Sequence, residues 1–335
     1  MPSGYRRKNI QLVQQMPSVL KPTPSILVAI PCYQEEQTIG QVVNDFRREL
    51  PTADIVIYDN NCTDRTAEMA LKAGARVVRE KRQGKGYVVA SIFDQLEADI
   101  LVMVDGDGTY DAASVHQLLA PILAGNADTT VAARLSKYQE NAFRRFHVFG
   151  NRILCHIVNW IFASDISDIF SGYRAFTRES TRSIPITAGG FDVETELTLQ
   201  ALYRHFVLKE INAPYGERPS GSFSKLRTFS DGSRVIARLV SMFRTYKPLT
   251  FFGGVAIACF VSSVGAGVLP VSDYLKESYV RHVPLALLAA SLMIICFICA
   301  TLGVILNSLN HRFRELERIT IMNTRDQRAV VDSSR

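Results

Sequence analysis

Ile100-Leu101-Val102-Met103-Val104-Asp105-Gly106-Asp107-Gly108 is the stretch on which the fold turns. Five consecutive apolar residues, bounded by glycine and aspartate, read as a strand buried on both faces of a parallel sheet. The chain then delivers two carboxylates, Asp105 and Asp107, at the carboxyl end of that strand, where open α/β sheets bind their ligands. Carboxylates one residue apart offer the oxygen ligands that Mg²⁺ or Mn²⁺ favours and can hold such an ion against a diphosphate. An Asp-x-Asp pair alone is common in surface turns; its place after a buried strand is what singles this one out.

Working outward, short β-rich runs alternate with amphipathic helical stretches from Ser25 onward, the pattern of a mostly parallel sheet covered by helices. Strands are expected at Ile26 to Ile30, Ile55 to Tyr58, Arg76 to Arg79 and Thr129 to Ala133. Helices are expected over Thr38 to Leu50, Asp64 to Ala73, Gly86 to Leu96 and Ser114 to Leu123, with a long amphipathic stretch over Asn141 to Ala163. Two later runs, Leu249 to Val271 and Val283 to Leu306, contain no charged residue. Each is long enough to cross a hydrocarbon core of about 30 Å. The competing reading, a pair of buried helices in a soluble core, fits their length and lack of charge less well.

The net charge of +6 admits nucleic acid, anionic lipid or phosphorylated substrates, so the positions of the cations decide. Arg234, Arg238, Arg244 and Lys247 precede the first apolar run, and Arg312, Arg314 and Arg318 follow the second. This favours a bilayer over nucleic acid, with the main domain and both termini cytoplasmic and the link Ser272 to His282 outside. Residues 1–24 are polar and basic without an apolar core, so no cleavable secretory signal is expected. The six cysteines lack zinc-site spacing and read as reduced thiols. The expected organisation is a polar segment (1–24), a cytosolic α/β domain (25–229), a juxtamembrane amphipathic helix (230–248), a two-helix hairpin (249–306) and a cytosolic basic tail (307–335).

Several further segments carry a resemblance. They are Ile30-Pro31-Cys32-Tyr33-Gln34-Glu35-Glu36, Asp59-Asn60-Asn61-Cys62-Thr63-Asp64-Arg65-Thr66, Gly84-Lys85-Gly86, Asp168-Ile169-Phe170-Ser171-Gly172-Tyr173-Arg174, Gly190-Phe191-Asp192-Val193-Glu194-Thr195-Glu196, and the Tyr215 to Leu226 loop. With the Asp105-Gly106-Asp107 turn, they resemble the inverting GT-A glycosyltransferases, the family that includes dolichyl-phosphate mannose synthase, over about Ser25 to Lys247. The resemblance implies a Rossmann-like α/β domain, here followed by two transmembrane helices. It also implies a nucleotide-sugar site lined by Pro31, Tyr33, Glu35, Asp59, Asn61, Lys85, Asp105, Gly106 and Asp107. Gln34 stands where the family usually has Asn. Asp64 and Thr66 equally suit helix capping, the plainer reading of Thr66. The Gly-Lys-Gly turn lacks the spacing of a P-loop.

On the acceptor side the resemblance implies Arg174, Arg218, Ser224 and Lys225 around a lipid phosphate, with Asp168 and Glu194 as acids nearby. Arginine offers a bidentate fork to phosphate. The plainer alternatives are that Glu194 and Glu196 simply suit a helix N-terminus, and that the loop cations attract anionic headgroups at about 1 kcal/mol each. The implied activity moves a hexose or N-acetylhexosamine from a nucleotide-diphosphate sugar to polyprenyl phosphate with inversion. Asp105 and Asp107 would hold the metal, while Lys85 and Arg134 stabilise the departing nucleotide. A phosphate acceptor, with a second pKa of about 6, is already largely ionised, so no general base is assigned. Two alternatives stand beside this: a same-fold enzyme acting on a hydroxyl of a glycan or glycolipid, and a non-catalytic scaffold. A homo-oligomer is left open.

Overall fold

The computed structural model describes residues 23–135, 142–190, 192–216, 237 and 240–333. They fall into two compact units, one built from chain segments 1–139, 171–187 and 206–223, the other from 140–170, 188–205 and 224–335. The first holds a seven-stranded sheet of order β3-β2-β1-β4-β6-β5-β7. Its strands are β1 (Ile26–Cys32), β2 (Asp54–Asp59), β3 (Arg76–Arg79), β4 (Ile100–Met103), β5 (Thr129–Leu135), β6 (Arg174–Thr177) and β7 (Leu208–Pro214). β1 to β4 are mutually parallel along the sheet; β6 runs antiparallel to both β4 and β5, and β7 is parallel to β5. Because β6 reverses direction twice over, β4, β5 and β7 all point the same way, and their carboxyl ends share one edge.

The sequence reading assigned no strand to 174–177 or 208–214. β6 is only four residues long and opens on a charged residue. β7 is an edge strand that mixes Lys209, Glu210 and Asn212 with apolar residues and ends on Pro214. Edge strands tolerate charge and proline because one side of their ladder is unpaired. Neither segment carries the hydrophobic signature of a central strand, and pairing with β4 and β5 is what orders them.

The core explains the helices around the sheet. α1 (Ile39–Glu49) buries Ile39, Val42, Val43 and Phe46, the i, i+3, i+4, i+7 pattern of one helical face. It starts at Ile39, one residue later than expected; Thr38 is the N-cap residue, and its hydroxyl donates to the Gly106 carbonyl (2.7 Å) rather than capping a helix N–H. α2 (Thr66–Lys72) likewise starts at Thr66, whose N–H and hydroxyl both donate to Asp64 (3.0 and 2.5 Å). α3 (Lys85–Asp94), α4 (Val115–Leu123) and α6 (Arg178–Ser183) complete this unit.

The second unit is helical. α5 (Ala142–Phe162) and α7 (Val193–Tyr203) precede two long helices, Pro248–Glu277 and Val283–Ser333, the second apolar over Val283–Phe313. α7 is buried on every side over its first nine residues, as a helix inside a packed core must be. The two apolar helices are long and apolar enough to cross a membrane, and little of their surface is covered by the protein itself. They pack closely: the Ser263 hydroxyl donates to the Ala289 carbonyl (2.7 Å), and a Cβ at Gly303 would come within 3.2 Å of Phe252. Small residues and interhelical hydrogen bonds of this kind hold helices together in lipid. The first helix extends beyond Val271 to Glu277, leaving a link of only 278–282. Asp273 accepts from the Arg281 N–H and from His282 (2.7 Å) to close the turn. The second continues well past Leu306, to Ser333.

Candidate active site

The site begins where β1, β2 and β4 end together. Register pairs Cys32 with Asp59, and Ala29 with Met103, so the loops after these strands leave the same edge of the sheet. Asp59 is buried and accepts from the Cys62 N–H (2.8 Å). Asn61 adopts φ +61°, a left-handed conformation that asparagine tolerates better than most residues, and donates to the Lys81 carbonyl (2.8 Å). Burial, reinforced by the neighbouring Asp59, pushes the Cys62 thiol up to about 11. It therefore stays protonated and does not act as a nucleophile. All six cysteines are free.

Gln34, at φ +58°, ties the first loop to the second. Its carbonyl accepts from the N–H groups of Thr63 and Asp64 (3.2 and 3.1 Å), and its amide donates to the Thr63 hydroxyl (2.6 Å). Asn60 ties the second loop to the third: it accepts from the Gly84 N–H (2.7 Å) and donates to the Arg82 carbonyl (2.7 Å). Gly84 sits at φ +139°, a conformation open essentially to glycine, and Lys85 follows as the first residue of α3. Pro31 and Glu35 are wholly or largely covered, whereas Tyr33 is exposed.

The Lys85 ammonium lies 2.5 Å from Asp105. A side chain at Gly172 would collide with the same Asp105 carboxylate. Gly106 allows the turn to pack on β1, since a Cβ there would come within 2.7 Å of the Cys32 sulfur. Asp107 is buried and accepts from the Thr109 N–H and hydroxyl (3.1 and 2.6 Å). The Thr109 carbonyl in turn accepts from Gly216 (2.7 Å), and Tyr110 bridges to Tyr215. Arg134, near the end of β5, places its guanidinium 5.5 Å over the Tyr215 ring. The Tyr110 hydroxyl accepts from the Gly172 N–H (3.0 Å); burial first, and Asp105 second, hold that phenol well above its usual range. It is neutral and serves as a hydrogen-bonding strut.

This geometry fits a metal held jointly with a substrate. Among the described residues no cluster of three or more His, Cys, Asp or Glu side chains could hold an ion. Mg²⁺ is commonly bound by one or two carboxylates with the remaining positions filled by water and substrate phosphates, and Asp105 and Asp107 are carboxylates of the kind such a site uses. Arg174 is fully buried on β6, opposite Met103 and Val131, and its Nε donates to the Ser171 carbonyl (2.8 Å). In the second unit Asp168 accepts from the Phe170 N–H (3.1 Å), and Glu194 and Glu196 are buried in the first turn of α7, where Glu196 accepts from Ala188 (2.7 Å). Arg218, Ser224 and Lys225 lie outside the described residues.

Sequence reasoning did not single out Thr38, Asn60, Thr109, Tyr110 or Gly172 as parts of the site, and it left Gln34 without a role. None carries a catalytic charge. A usable signal existed for Asn60 and Gly172, inside motifs already quoted, and for Gln34, which replaces the family's usual residue at a left-handed position.

The glycosyl transferase family 2 model matches residues 27–184. Glycosyltransferase AglJ of Haloferax volcanii is 34% identical over 264 residues, which is 78% of this chain and 86% of that protein. The dolichyl-phosphate hexose transferase of the same organism is 28% identical, over 65% of this chain and 93% of its own. Among solved structures, the glucosyl-3-phosphoglycerate synthase of Mycobacterium tuberculosis, in complex with Mn²⁺ and UDP-glucose, superposes with a TM-score of 0.55 at 24% identity. It covers 65% of this chain and 79% of that one; at that identity the likeness concerns the fold, a GT-A sheet. With a carboxylate pair at the strand edge and a relative matched over most of its length, the chain belongs to glycosyl transferase family 2 and is a glycosyltransferase.

Proposed function

We propose that this enzyme transfers a hexose or N-acetylhexosamine from a nucleotide-diphosphate sugar to polyprenyl phosphate, with inversion, at the cytoplasmic surface of a membrane. The observation that carries this reading is the presence, in one chain, of the wired Asp105–Asp107 edge and of two apolar helices whose side chains face outward. A relative named for dolichyl phosphate supports the acceptor class. The start of the first apolar helix also supports it: Lys247 lies 5.5 Å over the ring of Phe162 at the end of α5, and Trp160 nearby is 71% exposed. Cations and exposed tryptophan gather at the headgroup level of a bilayer, where a lipid phosphate must stay to keep its chain out of water.

In this reading a phosphate oxygen of the acceptor attacks the anomeric carbon, the bond from that carbon to the donor diphosphate breaks, and the nucleoside diphosphate leaves with the electron pair. Asp107 and Asp105 would hold Mg²⁺ or Mn²⁺, which would supply charge neutralisation for the departing diphosphate. Lys85 and Arg134 add positive charge on the same edge. Pro31, Tyr33, Glu35, Asp59 and Asn61 form the nucleotide side, and Arg174, Arg218, Ser224 and Lys225 the acceptor-phosphate side, with Asp168 and Glu194 its candidate acids. Catalysis then rests on positioning and electrostatics more than on proton transfer. The test is to supply purified chain with polyprenyl phosphate, Mg²⁺ and GDP-mannose, UDP-glucose or UDP-N-acetylglucosamine in turn. Formation of a glycosyl lipid phosphate is expected with one donor; glycosylation of a hydroxyl acceptor instead, or of nothing, overturns it.

A further inference from the structure

We propose that Lys85 is a resident counter-cation for Asp105, so that the metal site is completed only when a nucleoside diphosphate draws the ammonium away. This rests on the donor-site reading above and adds an order of events to it. Lys85 opens α3, where the aligned peptide dipoles disfavour a cation, and its side chain is only 11% exposed. Such an ammonium needs an anion beside it. Asp105 is that anion, at 2.5 Å, and it is itself confined: Gly172 leaves it just the space that a methyl group would take, and Tyr110 pins the Gly172 backbone.

A divalent cation held by Asp105 would therefore have to share that carboxylate with a positive charge. A diphosphate removes the conflict. It brings several negative charges to a helix N-terminus, which suits anions, and lets Lys85 exchange a carboxylate for a phosphate oxygen while Asp105 turns wholly to the metal. Metal and nucleotide then strengthen each other's binding by the same factor. With one charge-assisted contact at stake, that factor is about ten- to hundredfold.

Mn²⁺ binding to the full chain in detergent micelles, followed by the electron paramagnetic resonance signal of free Mn²⁺, tests this without turnover. For the unaltered chain we expect weak binding of Mn²⁺ alone and about ten- to hundredfold tighter binding with saturating UDP or GDP. Lys85→Met, and separately Lys85→Gln, should bind Mn²⁺ alone about tenfold more tightly and gain correspondingly less from nucleotide than the unaltered chain does; Lys85→Arg should keep the coupling. If Mn²⁺ alone binds Lys85→Met and Lys85→Gln no better than the unaltered chain, the counter-cation role falls. Asp107→Asn separates the two levels: if it leaves nucleotide-dependent Mn²⁺ binding intact, the donor-site reading fails as well. If it abolishes that binding while the Lys85 variants behave like the unaltered chain, only the counter-cation is lost.

Discussion

The strand-end loops of the sheet and the apolar hairpin handle polarity in opposite ways. Around Asp105 and Asp107 the chain covers charge, burying Asp107 and leaving Asp105 partly exposed, and pairs it residue by residue, with Lys85 on one acid and Thr109 on the other. Along the hairpin it leaves large apolar side chains uncovered, as with Leu287 (64% exposed) and Phe297 (66%). Buried polar groups cost free energy unless paired, and a continuous apolar face of this size on a protein in water is an association site. The comparison teaches that one chain is built for two solvents, and that each rule of burial holds only against the solvent that applies locally.

The most severe way to break the first half of the comparison is Asp107→Asn. Its amide oxygen can still accept from Thr109, so the melting temperature should hold while metal-dependent transfer falls by about a hundredfold or more, as read from kcat at saturating donor. Next, Phe297→Arg places a charge on the exposed apolar face at a cost of about 2.5 to 3.5 kcal/mol in lipid. The same change at Leu71, comparably exposed on the sheet unit, should cost about 0.5 kcal/mol or less. Carbonate extraction of membranes should release the first variant and not the second; equal behaviour of the two would erase the distinction between the regions.

Gly172→Ala sharpens the site by pushing a methyl group at the Asp105 carboxylate. A roughly tenfold loss of kcat/KM is expected from a misplacement of about 1 Å, measured against an unchanged circular dichroism spectrum. Gln34→Ala removes the tether between the first two loops, so the donor KM should rise about threefold to tenfold, the effect of one or two lost hydrogen bonds, with the acceptor KM unmoved. The smallest effect is at Glu80, which hydrogen bonds with Arg82, and then Ser91, hold at a pKa of about 2. Its folded value lies below the unfolded value of about 4.3. The stabilisation is therefore complete above that value and is lost as pH falls toward 2. Glu80→Gln should flatten the melting-temperature profile across that window.

What the sequence alone determined lies in patterns that need no partner. The apolar run before Asp105 reads as a central strand, the i, i+3, i+4, i+7 pattern in α1 as one face of a helix, and charge-free segments the length of a bilayer as spans whatever surrounds them. Chemistry with a strong local signature was legible too: two acids at a strand end, a lysine between glycines, and the quoted motifs. The tertiary structure alone decided the rest. β6 and β7 lack any hydrophobic alternation and exist because neighbouring strands accept them. Lys85 meets Asp105 because the parallel strands β3 and β4 end at one edge, and Gly172 makes room there because antiparallel β6 begins at that same edge. Such contacts join residues far apart along the chain, and a local pattern of residue types carries no information about which distant group will stand opposite.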